Sequence, residues 1–276
     1  MRLKKCGFIT ALIFLAGLAV FAQEMQAESD NQNDNQNEPV KEVSAFRAAL
    51  NKMMVPVDYH WYIGVYGGYA NNHLYTSTGY FTFVEYQNGH GWTIGLPVRY
   101  QFFSWLGVGV EPMFITKNYR RQRTEQYSAV YEELTNSFLD FPVYVNLSAG
   151  FDHLRVYTNL GVFMGVWLDS HVKGAGIEAS FNTFDSNETQ HYASYDKKRE
   201  FDDRRDSLFD GGLFAGVGIQ YALTPCTFFV EGRFYYSLSD LQKQYMKNMI
   251  PRMNDTWTVQ AGVMFNAGIF NIFKKK

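Results

Sequence analysis

The chain has 276 residues, with 25 basic against 27 acidic side chains and a formal net charge of −2. A charge so close to zero gives no reason to expect nucleic acid as a partner, because proteins that bind it concentrate positive charge on one face. The two cysteines are Cys6 and Cys226. Since Cys6 belongs to a segment that we expect to be removed, an intramolecular disulfide is excluded.

Residues 1–22 have the three parts of a secretory signal peptide. Basic side chains precede an apolar run from Phe8 to Phe21, and small residues then precede a cleavage site before Gln23. The apolar run is shorter than the roughly 20 residues that a membrane-spanning helix needs. The sequence therefore predicts export, with Gln23 as the first residue of the mature chain.

Residues 23–57 form an acidic, low-complexity segment that is rich in Asn and Gln. Such a segment buries too little apolar surface to offset its ordering entropy, so we predict a periplasmic linker without fixed structure. Within it, Val43 to Met54 has the apolar spacing of a short helix. Three interpretations stay open for this helix: a plug for the domain that follows, an element lying on the membrane, or a helix without a role.

From residue 58 onwards, apolar side chains alternate with small or polar ones, most clearly from Trp92 to Phe102. A soluble β-sandwich also alternates, but it packs its apolar face against a second sheet and keeps its charges in water. Here the bulkiest residues of each stretch share one face, and the stretches follow an export signal. The pattern predicts a transmembrane β-barrel over residues 58–276, with its apolar face outward and its polar face inward.

We predict eight strands in this region. They cover approximately His60–Ala70, Trp92–Phe102, Leu106–Thr116, Phe138–Leu147, Leu154–Leu168, Gly211–Tyr221, Thr227–Ser237 and Thr256–Phe265. Connections after even-numbered strands are short and those after odd-numbered strands are long, the longest running from Asp169 to Asp210. This alternation is typical of short periplasmic turns and long external loops. The fold class predicted is therefore all-β: an eight-stranded antiparallel up-and-down transmembrane β-barrel.

Five charged residues fall on the inward face of their strands and form the first candidate site. They are Arg99, Glu111, Asp140, Glu231 and Arg233. A charge that faces hydrocarbon costs several kcal/mol, whereas a charge inside the barrel can pair. We therefore predict a luminal polar network, which is either a ligand or gating site or a polar core that fills a narrow barrel. A filled interior argues against a diffusion porin.

A second candidate site is a mixed-charge run with aromatic residues in the longest predicted loop. Its members are Tyr192, Tyr195, Lys197, Lys198, Arg199, Phe201, Arg204 and Arg205. Exposed aromatic residues beside charges often anchor an interface, so we predict an external docking loop for a partner protein or for lipopolysaccharide phosphates. A solvated loop whose charges pair with one another is the alternative.

Enzymatic chemistry has little support in the sequence. Ser170 and His171 lie beside Asp169 at the outer end of the fifth predicted strand, but adjacent strand residues point to opposite faces and so do not share a proton. The six histidines are scattered without the spacing of metal ligands. We therefore predict no catalytic, cofactor-binding or metal site.

Seven motifs occur in strand order between His60 and Phe265. They read GWTIGLPVRYQF, LGVGVEPMF, FLDFPVYVNLSAG, YTNLGVFMGV, FDGGLFAGVGIQY, FFVEGRFYYSLSDL and WTVQAGVMF. In this order and small-residue pattern the chain resembles the PorT-like outer-membrane β-barrel family. The resemblance implies an eight-stranded barrel, and the family's namesake takes part in secreting proteins that carry C-terminal sorting domains. The acidic linker and the long fifth loop are not hallmarks of that family.

The sequence thus favours a non-enzymatic barrel of the Gram-negative outer membrane that acts as an interaction or assembly component, in PorT-like protein secretion. Its expected partners are outer-membrane lipid, lipopolysaccharide and other envelope or secretion proteins. A small surface barrel for adhesion or defence through its external loops is the first alternative. A lipid-modifying outer-membrane hydrolase is the second.

Overall fold

The structure, a computed structural model, describes residues 60–76, 84–124, 129–150, 153–178, 191–202, 204–223, 225–243 and 252–266. These residues belong to one compact unit, Lys52–Lys276. The signal peptide of residues 1–22 and the linker of residues 23–57 with its short helix lie outside the described residues, so they stay predictions.

The described residues form twelve β-strand segments in a single sheet. The segments are β1 (Trp61–Thr76), β2 (Val84–Gly95), β3 (Val98–Gln101), β4 (Leu106–Val110), β5 (Met113–Thr116), β6 (Tyr119–Arg123), β7 (Tyr131–Gly150), β8 (Leu154–Glu178), β9 (His191–Lys198), β10 (Phe209–Leu223), β11 (Cys226–Ser237) and β12 (Arg252–Asn266). All neighbouring segments pair in antiparallel fashion. Among the residues that the structure describes, no helix is long and apolar enough to cross a membrane.

The sheet returns to its own first strand. Segment β1 pairs with β12 on one side and with β2 and β3 on the other. From β12 the pairing passes through β11, β10, β8 and β7 to the segments β4, β5 and β6, which pair in turn with β3 and β2. Closure of this kind satisfies the backbone groups of the ring, as a strand structure in hydrocarbon must. Segment β9 stands outside the ring, because among the described segments it pairs only with β8.

The alternation of faces is the predicted one. In β10, Leu213, Val217 and Ile219 are exposed on the outer face, whereas Phe214 and Gln220 are buried inside. The outer face therefore offers the apolar surface that lipid contact requires, and the inner face forms a packed core. The predicted alternation of outward apolar residues and inward packed residues is therefore confirmed.

Prolines divide two of the predicted strands. The second is interrupted at Leu96 and Pro97, between β2 and β3, and the third at Glu111 and Pro112, between β4 and β5. Proline has no N–H to donate and breaks the ladder where it lies. Because the structure contains twelve segments, the count of eight strands stays a prediction.

The prediction that Asp169 to Asp210 is one long loop is wrong, because part of this region is β-strand. Segment β8 continues to Glu178, and β9 pairs with it from His171 opposite Lys198 to Glu178 opposite His191. The outer part of β8 is polar and lacks the apolar alternation that marks a lipid-facing strand. The outer part of β8 stays in the sheet because its backbone pairs with β7 as far as Tyr131 opposite Ala175.

A β-bulge divides β8 into two halves. Asp169 is opposite Ser137 and Trp167 is opposite Phe138, so Leu168 is an extra residue without an opposite. The extra residue shifts the inward phase, because Trp167 and Ser170 are both buried although three positions separate them.

Candidate functional site

Arg233 of β11 is the centre of a buried ionic network. It donates to the carboxylate of Glu111 from Nη1 and Nη2, at 2.8 and 2.9 Å, and to that of Glu231 from Nε and Nη2, at 2.6 and 2.9 Å. The three side chains are at most 2% exposed. Bidentate charge-assisted bonds of this kind fix both distance and orientation.

Two polar links cross the interior of the sheet. Glu111 lies between β4 and β5, whereas β11 pairs only with β10 and β12 among the described segments, so the bond from Arg233 to Glu111 is not a contact between neighbouring strands. Arg99 of β3 likewise donates from Nη1 and Nη2 to Gln220 Oε1 of β10, both at 3.3 Å. These links fill the space that a water-filled channel would need.

Neutral donors stabilise the second carboxylate of this network. Tyr157 OH donates to Glu231 at 3.1 Å and Asn159 Nδ2 donates to it at 2.9 Å. Gly216 leaves room for that carboxylate, because a Cβ at this position would clash with Glu231 Oε1 and approach Arg233 Cγ at 2.7 Å. The glycine of this inward position is therefore a packing requirement of the network.

A second buried cluster is centred on Lys117, which follows β5. Its ammonium lies 2.8 Å from Asp140 and 2.7 Å from Asp210. Asp210 also accepts hydrogen bonds from the hydroxyls of Ser237 and Ser239, at 2.8 and 2.9 Å. Neither Lys117 nor Asp210 is among the site residues predicted from the sequence, because the first follows a predicted strand and the second ends a predicted loop.

The structure thus divides the predicted luminal residues. Glu111, Glu231 and Arg233 form one network, Asp140 belongs to the Lys117 cluster, and Arg99 pairs with a neutral glutamine. The geometry is that of a filled interior. A ligand-binding or gating role for these residues stays a prediction.

The predicted docking residues are not all on a loop. Tyr192, Tyr195, Lys197 and Lys198 belong to β9. Tyr195 OH donates to Glu132 Oε1 at 2.8 Å. Burial and this hydrogen bond raise the pKa of Tyr195 to about 12, so the phenol is a stable donor at neutral pH.

Two further docking residues turn inward, which corrects the expectation of an exposed anchor. Arg199 stacks over the ring of Trp167, 5.5 Å from its centroid, and pairs with the buried Asp206 at 2.8 Å. Phe201 packs edge-on against Trp167 with centroids 4.9 Å apart. Trp167 offers apolar surface inside the barrel, and the segment folds onto it. Of the predicted set, Lys197, Lys198, Arg204 and Arg205 are exposed in the described structure.

Next to this segment lies a concave site that we call the outer cavity, with a volume of about 290 Å³. Its lining residues are Tyr86, Tyr119, Arg121, Glu132, Leu134, Val172, Tyr195, Lys197, Arg199 and Arg252. Four of these side chains are cations and one is a carboxylate. Tyr195, Lys197 and Arg199 are binding residues predicted from the sequence, but their proximity to side chains from β2, β6, β7, β8 and β12 is visible only in the structure.

Ser170 and His171 point to opposite faces, as predicted. Ser170 is fully buried and its hydroxyl donates to Asn136 Oδ1 at 2.8 Å. His171 is exposed and pairs with Asp196 on the outer face. The two side chains therefore cannot exchange a proton directly. Within the described ranges, no group of three or more His, Cys, Asp or Glu residues is placed to hold a metal ion.

Comparison with known proteins identifies a family but no curated relative. The family model described as outer membrane protein beta-barrel domain matches residues 21–243. No curated protein matches the chain.

Three solved structures resemble this one at low sequence identity. The attachment invasion locus protein Ail of Yersinia pestis is 18% identical, over 75% of this chain and 99% of its own, with a TM-score of 0.35. Neisserial surface protein A is 14% identical, over 74% and 96%, with a TM-score of 0.37. OprG from Pseudomonas aeruginosa is 12% identical, over 75% and 96%, with a TM-score of 0.40.

Proposed function

The chain belongs to the outer membrane protein beta-barrel domain family, and we propose that it serves in the Gram-negative outer membrane as a non-enzymatic interaction or assembly component. The finer part of this proposal is a role in PorT-like protein secretion. It is supported by the seven motifs that follow the strand order of that family.

The observation that carries the proposal is the bond from Arg233 to Glu111 across the interior. Solute passage would require this pair to open, and a lone buried charge costs several kcal/mol. The described interior therefore favours a structural role for the lumen. We therefore propose that such a barrel acts by binding partners at its surface, through segments outside the lipid-facing belt.

The eight-stranded form is part of the same proposal. Segments β2 and β3 both lie along β1, segments β4, β5 and β6 all lie along β7, and segments β9 and β10 both lie along β8. Counting each such group as one passage of the chain gives eight, an even number of the kind found in bacterial outer-membrane barrels.

The exposed end of the mixed-charge segment is the proposed docking surface, and charge reversal tests it. Arg204→Glu together with Arg205→Glu changes two exposed side chains, so the barrel should still fold and keep its heat-modifiable gel shift. Crosslinking on intact cells should then recover fewer envelope proteins with the double variant than with the unaltered chain. Arg123→Glu, which reverses an exposed charge on β6, is the matched control and should retain them. If the double variant retains every partner and any secretion phenotype, docking at this surface is wrong.

A further inference from the structure

The outer cavity carries more positive charge than its own carboxylates neutralise. Its four cations come from β6, from β9 and the residue after it, and from β12. They are Arg121, Lys197, Arg199 and Arg252. Glu132 is the only carboxylate among the described residues that line it. A concave site lined by one sign of charge concentrates oppositely charged ligands.

Two of these cations have carboxylate partners and two do not. Arg121 Nη2 pairs with Glu132 at 2.6 Å, and Arg199 Nη2 pairs with Asp206 at 2.8 Å. Lys197 and Arg252 have no ion pair within the part of the chain that the structure describes, although Lys197 Nζ lies 5.6 Å from the ring centroid of Tyr195. As far as the described residues go, the cavity therefore offers two unneutralised positive charges to a ligand.

The rest of the lining is aromatic and apolar. Tyr86 and Tyr119 lie with ring centroids 6.3 Å apart and planes at 43°, and Tyr195 adds a third ring. Rings of this kind pack against the C–H face of a sugar, and Glu132 can accept hydrogen bonds from sugar hydroxyls. The volume of about 290 Å³ is at the lower end of small-molecule pockets.

We propose that the outer cavity binds a phosphorylated sugar of about monosaccharide size. A phosphate ester carries close to two negative charges at neutral pH, which matches the two unpaired cations. The planar guanidinium of Arg252 suits a phosphate by donating two parallel hydrogen bonds, and Lys197 adds a compact charge. This inference goes beyond the assembly role and does not depend on it.

Calorimetry on the full mature chain, refolded in detergent micelles without phosphate, tests the proposal. Glucose 6-phosphate should give saturable one-site heat that weakens as salt is added. Glucose should give none, and inorganic phosphate should bind at least about tenfold more weakly because it makes no aromatic contact. Absence of saturable heat with glucose 6-phosphate, or equal binding of glucose or of inorganic phosphate, overturns the proposal.

Adjacent residues of β9 supply a matched pair of variants. Lys197→Gln and, separately, Arg252→Gln should each lower the affinity for glucose 6-phosphate roughly tenfold or more, because each removes a charge-assisted hydrogen bond. Lys198 pairs with Asp169 at 2.8 Å and does not line the cavity, so Lys198→Gln should bind normally. Equal losses at Lys197 and Lys198 would indicate a general charge effect and overturn the proposal. The gel shift of each variant verifies folding, and Lys197→Arg should restore binding.

The ligand can come from a lipid headgroup or from solution, and vesicles distinguish the two. The titration is repeated in phospholipid vesicles with and without lipopolysaccharide. Competition by lipopolysaccharide supports the proposal with its phosphorylated sugar headgroup as the ligand. Unchanged affinity supports it with a soluble sugar phosphate. Because crosslinking to envelope partners is a separate measurement, failure here leaves the assembly proposal standing.

Discussion

Arg233 and Glu111 form a bidentate ion pair that crosses the barrel interior, with donor–acceptor distances of 2.8 and 2.9 Å. Each side chain is almost fully buried, and Glu231 shares the same guanidinium. The pair therefore links opposite parts of the wall directly, in addition to the backbone ladder that runs around it.

We expect Glu111→Ala to lower the free energy of unfolding by about 3–5 kcal/mol, since it removes one partner of a buried pair. Glu133→Ala is the control, because its pair with Arg120 is partly exposed and pairs of that kind contribute about 1 kcal/mol or less. Urea unfolding in lipid vesicles, followed by the gel shift, measures both. Equal effects would show that the interior pair is not the stronger of the two.

The two carboxylates beside Lys117 should differ in importance. Asp210 accepts hydrogen bonds from Lys117, Ser237 and Ser239, whereas Asp140 has only its ion pair with Lys117 and no hydrogen bond among the described residues. Asp210→Asn should cost about 2–3 kcal/mol through weakened charged hydrogen bonds. Asp140→Asn should cost less than about 1 kcal/mol, since it leaves a neutral pair. The same urea unfolding measures both, and the reverse order would contradict this account.

The segment after β9 should become accessible to protease when its buried carboxylate is removed. Asp206 accepts hydrogen bonds from Arg199 Nη2 and from the backbone N–H of Asp202, at 2.8 and 3.1 Å. Asp206→Ala should raise the rate of tryptic cleavage after Arg205 roughly tenfold, because the open form of the segment becomes more populated.

The control for this cleavage experiment is Asp169→Ala. It removes an exposed carboxylate that pairs with Lys198 and should leave the cleavage rate unchanged. Fragments identified by mass spectrometry locate the cut. A rate in the Asp206 variant no higher than in the unaltered chain would show that the segment is not held by this carboxylate.

The orientation of the barrel is testable with single cysteines in a Cys226→Ser background. Ser194 is exposed on β9, and His153 is exposed just before β8. Ser194→Cys should react with an impermeant maleimide on intact cells, and His153→Cys only after the outer membrane is opened. Labelling in the opposite pattern would invert the proposed topology.

The strands and their faces follow from the sequence where one residue in two must meet lipid. The predicted strand Gly211–Tyr221 lies within β10, Phe209–Leu223, because hydrocarbon outside and tight packing inside both constrain the same alternation. The outer half of β8 and β9 escaped prediction because side chains in water need no such alternation.

Partner choice inside the barrel is harder to predict than the inward direction of a side chain. Lys117 and Asp210 are 93 positions apart, and only the stagger of strands between them brings the two together. Period two indicates that Asp140 faces inward, but it does not indicate at which height in the barrel each charge lies. Height is what separates the Arg233 network from the Lys117 cluster.

The extra residue Leu168 has a consequence for which one-residue deletions the chain can tolerate. Beyond it, Ser170 and Val172 face inward and His171 faces outward. Loss of this one codon would remove the bulge and bring Asp169 directly after Trp167. The pairs Phe138–Trp167 and Ser137–Asp169 would then form an uninterrupted ladder, and Ser170 and Val172 would still face inward. In a regular stretch of strand, by contrast, a one-residue deletion exchanges the two faces for all residues beyond it. Insertions and deletions in the connecting segments are far less constrained. Within β8, the bulge is therefore the position at which we expect evolution to tolerate the loss of one residue.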